Sequence, residues 1–145
     1  KEVPLYLSKL KAKAYGAELQ PNELLITADT IVIVDNKILG KPRNAADAKT
    51  MLALLSGRTH QVVTGVSLTT QHKQVAFKVV TDVTFKALSQ AEINYYVDTY
   101  KPFDKAGAYG VQEWIGYIGV TALNGSYYNV MGLPVQRVYE ELQHF

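Results

Sequence analysis

Along the chain, apolar positions change their period several times, and each change predicts an element. Val3, Leu7, Leu10 and Ala14 recur at helical spacing and Gly16 offers a stop, so a helix of about three turns is predicted there, with that stripe facing the core. Leu24 to Val34 is apolar at nearly every position and rich in β-branched residues, the pattern of a strand buried on both faces. Asp35-Asn36 then makes a turn, and Lys37 to Leu39 returns as a short strand. Asn44 with Asp47 resembles a capping box ahead of the stripe Ala48, Met51, Leu52 and Leu55, and Ser56-Gly57 closes that helix. His60 to Leu68 and Val75 to Phe85 read as two strands around a polar turn at Gln71 to Lys73. In the second, Val75, Phe77, Val79, Val83 and Phe85 face one way, and Lys78, Asp82 and Lys86 the other. Ser89 and Glu92 make a second capping box, with Leu88 and Ile93 as its hydrophobic staple, so a helix is predicted over 89–99. Pro134 at a first helical turn precedes Val135, Val138, Tyr139 and Leu142, again at helical spacing.

This order predicts an α/β domain, a mixed twisted sheet flanked by helices, with no internal repeat or linker. The exception to its regularity is 103–132, which holds six of the ten glycines. That much backbone freedom suggests loops that approach something closely. The 145 residues fit one domain, able to bury roughly 70% of its unfolded surface. A net charge of +2 is spread along the chain, which favours anionic ligands weakly and argues against a nucleic-acid tail. Without cysteine there are no disulfides, thiolate metal sites or thiol nucleophiles. No apolar run reaches the ~20 residues of a membrane span, so a cytoplasmic protein without a membrane partner is expected. The chain starts inside a predicted helix, which hints at an upstream segment.

Several familiar motifs are absent: the phosphate-binding G-x-x-x-x-G-K-[ST], a G-x-G-x-x-G after a strand, H-E-x-x-H and G-x-S-x-G. His60, His72 and His144 lack metal-ligand spacing, and no histidine base stands near Ser126. What remains is Asp29, a carboxylate within an apolar strand, where it needs cations, a metal or backbone donors. Two readings stand: a structural salt bridge, or a catalytic or metal-binding group. Lys41, fixed between Gly40 and Pro42, is either a solvated loop lysine or a cation returned beside Asp29 by the hairpin. Lys11 lies near the apolar stripe of its helix, where a snorkelling lysine is the plain alternative. Asp104-Lys105 reads as a local ion pair. The glycines around Ala108-Tyr109 can turn backbone N–H groups toward an anion or a base edge, with Gln112 offering a donor and an acceptor. Tyr127-Tyr128 reads either as a stacking platform or as packing.

The stretches "ADTIV", "LGKPRNAADAKTMLALLSGRTHQVVTGV", "VTDVTF", "DKAGAYGVQ" and "NGSYYNVMGLP" together resemble, in order, the Maf family of nucleoside triphosphate pyrophosphatases, and "DKAGAYG" followed by Gln112 resembles its dTTP/UTP-directed branch. The resemblance implies a two-lobed fold with a central cleft, similar to inosine triphosphatases, often dimeric, and hydrolysis to a nucleoside monophosphate and pyrophosphate with Mg²⁺ or Mn²⁺. It makes Asp29 the catalytic proton acceptor and a candidate metal ligand. Thr30 and Gln112 become residues of substrate choice, and Lys11, Lys41 and Lys105 substrate-binding cations. The family's opening strand and Ser-x-Ser-Pro-Arg-Arg loop have no counterpart in this sequence, so 1–145 is expected to be a single Maf-like domain lacking them. An alternative from the same resemblance is a nucleotide-binding regulatory module, linked to division arrest, with little turnover.

Overall fold

Asp35 and Asn36 both take positive φ, 48° and 63°, the backbone pair that a tight two-residue hairpin needs. They fold β1 (Leu25–Val34) back on β2 (Lys37–Leu39), with Val34 opposite Lys37. In the computed structural model, which describes residues 2–145, three further strands follow: β3 (Thr59–Thr69), β4 (Gln74–Phe85) and β5 (Val120–Asn124). They form one sheet in the order β2-β1-β3-β4-β5, and each pairing is antiparallel. Around it pack α1 (Val3–Gly16), α2 (Ala45–Leu55), α3 (Gln90–Tyr100), α4 (Trp114–Gly119), α5 (Tyr127–Met131) and α6 (Val135–Gln143), with a single 3-10 turn at Ala106–Ala108. The expected α/β class holds, but among the described residues the sheet is antiparallel throughout and not mixed. No helix among the described residues is long and apolar enough to cross a membrane.

Caps fix where the middle helices start. Asn44 accepts from Asp47 N at 2.8 Å, while the Asp47 carboxylate reaches Arg43 N at 2.9 Å, one residue short of a closed capping box. Ser89 and Glu92 close theirs in full, and Leu88 and Ile93 join the same apolar cluster.

One face of the sheet carries two separate clusters. Val32, Val34, Val62, Val83 and Phe85 pack with α2, α3 and α4, whereas Val66, Leu68 and Phe77 pack with Val138 of α6. Thr30 and Thr64, paired in the β1–β3 register, lie between the two. The opposite face is covered by α1, and there the predicted stripe is wrong. Val3 and Leu10 are 40% and 49% exposed, and the buried positions are Pro4, Ser8 and Ala12. Close approach explains the exchange. A Cβ on Gly65 of β3 would stand 2.3 Å from the Pro4 carbonyl carbon, so α1 rests its backbone directly on the sheet. Only small side chains fit in that seam. Thr27 donates to Ser8 O at 2.7 Å, and the hydroxyls of Ser8 and Ser67 meet at 2.8 Å.

The glycine-rich region also departs from expectation. It is not a set of loops but holds the 3-10 turn, α4, β5 and α5 in quick succession.

Candidate active site

β2 ends at Leu39, opposite Val32, and the chain then leaves through Gly40 and Lys41. Among the described residues nothing pairs with Leu25 to Ile31 on that side of β1. Successive strand residues point to opposite faces, so Asp29 projects toward α1 and Thr30 toward the other face. Beside the free edge both line one cavity. It measures about 240 Å³, is open to solvent, and is also lined by Lys11, Lys41, Asp104, Lys105 and Gln112. The structure therefore brings together all six candidate positions, Lys11, Asp29, Thr30, Lys41, Lys105 and Gln112, from five separate parts of the chain.

Asp29 is paired and still accessible. Lys11 Nζ donates to its Oδ1 at 3.0 Å and to Ala28 O at 2.9 Å, while the Asp29 side chain keeps 22% of its surface exposed. Oδ2 makes no hydrogen bond with the described residues. Lys105 pairs with Asp104 at 3.2 Å, and this bond, with the charges of Lys105 and Lys41, holds the Asp104 carboxyl below its ordinary value. Three lysines against two aspartates leave the cavity one positive charge in excess, an arrangement that favours an anionic guest. On the opposite face Thr64 gives its hydroxyl proton to Asn129 O at 3.3 Å, so in its 2.9 Å contact with Thr30 it accepts.

The wall holding Lys105 and Gln112 is braced from behind. Gly107, at φ 72°, donates its N–H to Gly40 O at 3.0 Å and lies so close to Val32 that a Cβ would meet its methyl at 2.8 Å. Gly110 N donates to the Tyr96 hydroxyl at 3.0 Å, and that hydroxyl donates to Glu113 Oε1 at 2.5 Å. Tyr109 OH meets His60 Nε2 at 2.6 Å within an aromatic cluster with Phe85. Burial pushes the His60 imidazole down to about 4 and the phenols of Tyr96 and Tyr109 upward, so all three stay neutral at physiological pH. These bonds overturn one expectation. The N–H groups of Gly107, Ala108 and Gly110 already bond Gly40 O, Lys105 O and Tyr96 OH, so they form no anion nest. Tyr127 and Tyr128 are exposed on α5, edge to face with one another, and do not line the cavity.

A family model described as "Maf-like protein" matches residues 1–145. The chain belongs to the Maf family. Among the relatives of this Maf chain, one from Phocaeicola vulgatus, named dTTP/UTP pyrophosphatase, is 60% identical over 142 residues, covering 98% of the chain and 74% of the relative. A relative of the same name from Bacteroides thetaiotaomicron is also 60% identical, with the same coverage. A third, again of that name and from Flavobacterium psychrophilum, is 53% identical over 138 residues, 95% of this chain and 71% of its own.

Sequence reasoning about this Maf chain missed Tyr96 and Glu113. Both look ordinary in their helical contexts, and only the fold brings Tyr96 to the "AYGVQE" stretch. It also missed Gly132, which lines the cavity from the end of α5. Its signal was present: a glycine between Met131 and the helix-starting Pro134, at φ 117°, marks a chain reversal. As to metal, no three His, Cys, Asp or Glu side chains cluster among the described residues. Asp29 and Asp104 are the carboxylates among the described residues that line the cavity. That set does not cage an ion by itself, but it suits a Mg²⁺-like cation shared between one or two carboxylates and a bound polyphosphate.

Proposed function

We propose that the chain is a nucleoside triphosphate pyrophosphatase, hydrolysing dTTP and UTP to the monophosphate and pyrophosphate. The observation that carries this reading is an accessible carboxylate, Asp29, on a rigid strand, facing the same cavity as Lys11, Lys41, Lys105 and Gln112. The names and high identity of the relatives point the same way.

In this reading the triphosphate lies along Lys41 and Lys105, whose ammonium groups offset charge as it builds on the phosphate oxygens. Lys11 orients the Asp29 carboxylate through Oδ1 and leaves Oδ2 without a hydrogen bond from the described residues. Oδ2 accepts a proton from a water that attacks the α-phosphorus, the bond from that phosphorus to the bridging oxygen breaks, and pyrophosphate departs with the electron pair. Asp29 would also hold the divalent cation carried by the nucleotide, Mg²⁺ or Mn²⁺, which supplies further charge neutralisation at the phosphates. Gln112 presents an amide donor and acceptor to the N3–H and carbonyl edge shared by uracil and thymine, and Thr30 borders the same space. The reading places the enzyme in the cytoplasm, as a homodimer that acts on free nucleotides.

The test is pyrophosphate release from UTP and dTTP by the full-length protein with added Mg²⁺ or Mn²⁺. Loss of a general base predicts that Asp29→Asn lowers kcat by about 10²- to 10⁴-fold. Wild-type protein that binds nucleotide yet releases no pyrophosphate from any triphosphate would favour the regulatory reading and end this one.

A further inference from the structure

Gln112 stands at the third position of a β-turn, Gly110 to Glu113, closed by the bond from Glu113 N to Gly110 O at 3.0 Å. One oxygen ties both ends of that turn. The Tyr96 hydroxyl, on a fully buried side chain of α3, accepts from Gly110 N at 3.0 Å and donates to Glu113 Oε1 at 2.5 Å. Val111, between them, is buried as an anchor. A Cβ on Gly110 would meet Glu113 Oε1 at 2.9 Å and the Lys105 stem at 2.8 Å, so the same point also seats Lys105.

We propose that Tyr96 and Glu113 are positioning residues for substrate selection: through the Gly110–Glu113 turn they set the depth at which Gln112 meets the base. Neither lines the cavity. Their effect passes through the backbone of the turn. The inference rests on the proposed nucleotide chemistry and deepens it, because a base edge is discriminated only where the amide that reads it cannot drift. A Gln112 free to slide along the base edge would meet N3 and N4–H of cytosine with the same amide order that reads O2 and N3–H of uracil.

Removing the phenol oxygen leaves the buried Gly110 N–H and the Glu113 carboxylate without their shared partner. Steady-state kinetics of the full-length protein with UTP and CTP test the proposal. Tyr96→Phe is expected to raise KM for UTP about tenfold with kcat within about twofold of wild type, and to shrink the UTP-over-CTP preference by a similar factor. Glu113→Ala is expected to act in the same direction by about threefold, and Glu113→Gln, which still accepts from the phenol, to restore most of it. An unchanged preference in both Tyr96→Phe and Glu113→Ala overturns the proposal, as does a loss confined to kcat. If Tyr96→Phe fails to fold, the two Glu113 variants decide alone. Wild-type protein that binds UTP without turnover defeats the catalytic reading only, and the variants then show the same changes in the UTP and CTP binding constants.

Discussion

Replacing Gly65 by Ala tests whether α1 is seated on bare backbone and whether that seat holds the site together. Gly65 pairs with Asp29 across the β1–β3 register. An added Cβ would lie 2.3 Å from Pro4 C and 2.4 Å from both Leu5 N and Pro4 O. These are backbone atoms of a helix, so no flexible side chain can swing aside. An ordinary contact needs about 3.4 Å, so α1 must lift by about 1 Å as a body. That movement strains every bond between helix and sheet: Thr27 to Ser8 O at 2.7 Å, Ser8 to Ser67 at 2.8 Å, and Lys11 to Asp29 and Ala28 O at 3.0 and 2.9 Å. Overpacking costs about 1–3 kcal/mol, and weakening two buried hydroxyl bonds adds about 1 kcal/mol each, for a total of about 3–5 kcal/mol. Urea unfolding of Gly65→Ala should show a lower midpoint at unchanged slope, and pyrophosphate release should fall because Lys11 retreats from Asp29. Gly16→Ala is the control, since nothing stands within 4 Å of its added carbon. If Gly65→Ala unfolds at the wild-type urea concentration, the close seat of α1 is refuted.

Further outcomes follow from the same geometry. His60, whose pKa is held near 4 by burial, binds its proton more readily when unfolded, with an ordinary value near 6.5. Its contribution to stability is therefore complete above pH 6.5 and is lost as pH falls from there through 4, about 3 kcal/mol in all, by linkage. Urea midpoints measured across this range should fall less steeply in His60→Gln than in wild type, and parallel profiles would contradict the buried neutral imidazole. Lys11→Met should lower kcat for UTP by at least about tenfold while KM changes less, because its bond is to Asp29; an effect on KM alone would move Lys11 to the phosphates. Lys41→Ala and Lys105→Ala should show the reverse split, KM rising more than kcat falls, in the same pyrophosphate assay. Ser89→Ala should lower stability by about 1 kcal/mol in urea unfolding without altering turnover, since it opens a capping box whose residues do not line the cavity.

Where local chemistry decides a structure, the chain could be read directly. Asp35-Asn36 specifies its hairpin, Asn44 and Ser89 specify helix starts, and the alternation over Val75 to Phe85 matches the observed burial. Asp29 stood out as a charge in an apolar strand and Lys41 by its place between Gly40 and Pro42, each with a structural alternative, and it was the family resemblance that gave them, with Lys11, Thr30, Lys105 and Gln112, candidate roles. Errors arose where a distant partner decides. The buried face of α1 consists of Pro4, Ser8 and Ala12 because Gly65, some sixty residues on, brings the backbones together; hydrophobic periodicity sees only the larger Val3 and Leu10. The glycine-rich region hid α4 and α5 because six and five residues are too few for a helical period to register. Its backbone donors looked free for an anion because their acceptors, Gly40 O and Tyr96 OH, come from elsewhere in the fold.

The charge at position 29 is explained by strand pairing more than by its immediate neighbours. Had β2 continued past Leu39, the edge of β1 at Asp29 would be covered and the carboxylate would require full internal compensation. Because β2 stops opposite Val32, the Asp29 side chain stays partly open to solvent while Lys11, brought close by the small-residue seam of α1, holds Oδ1. The salt-bridge and catalytic readings of Asp29 therefore do not compete. A lysine that donates to Oδ1 and to the neighbouring carbonyl orients the carboxylate, and Oδ2, which bonds none of the described residues, is left as the acceptor that the proposed mechanism uses.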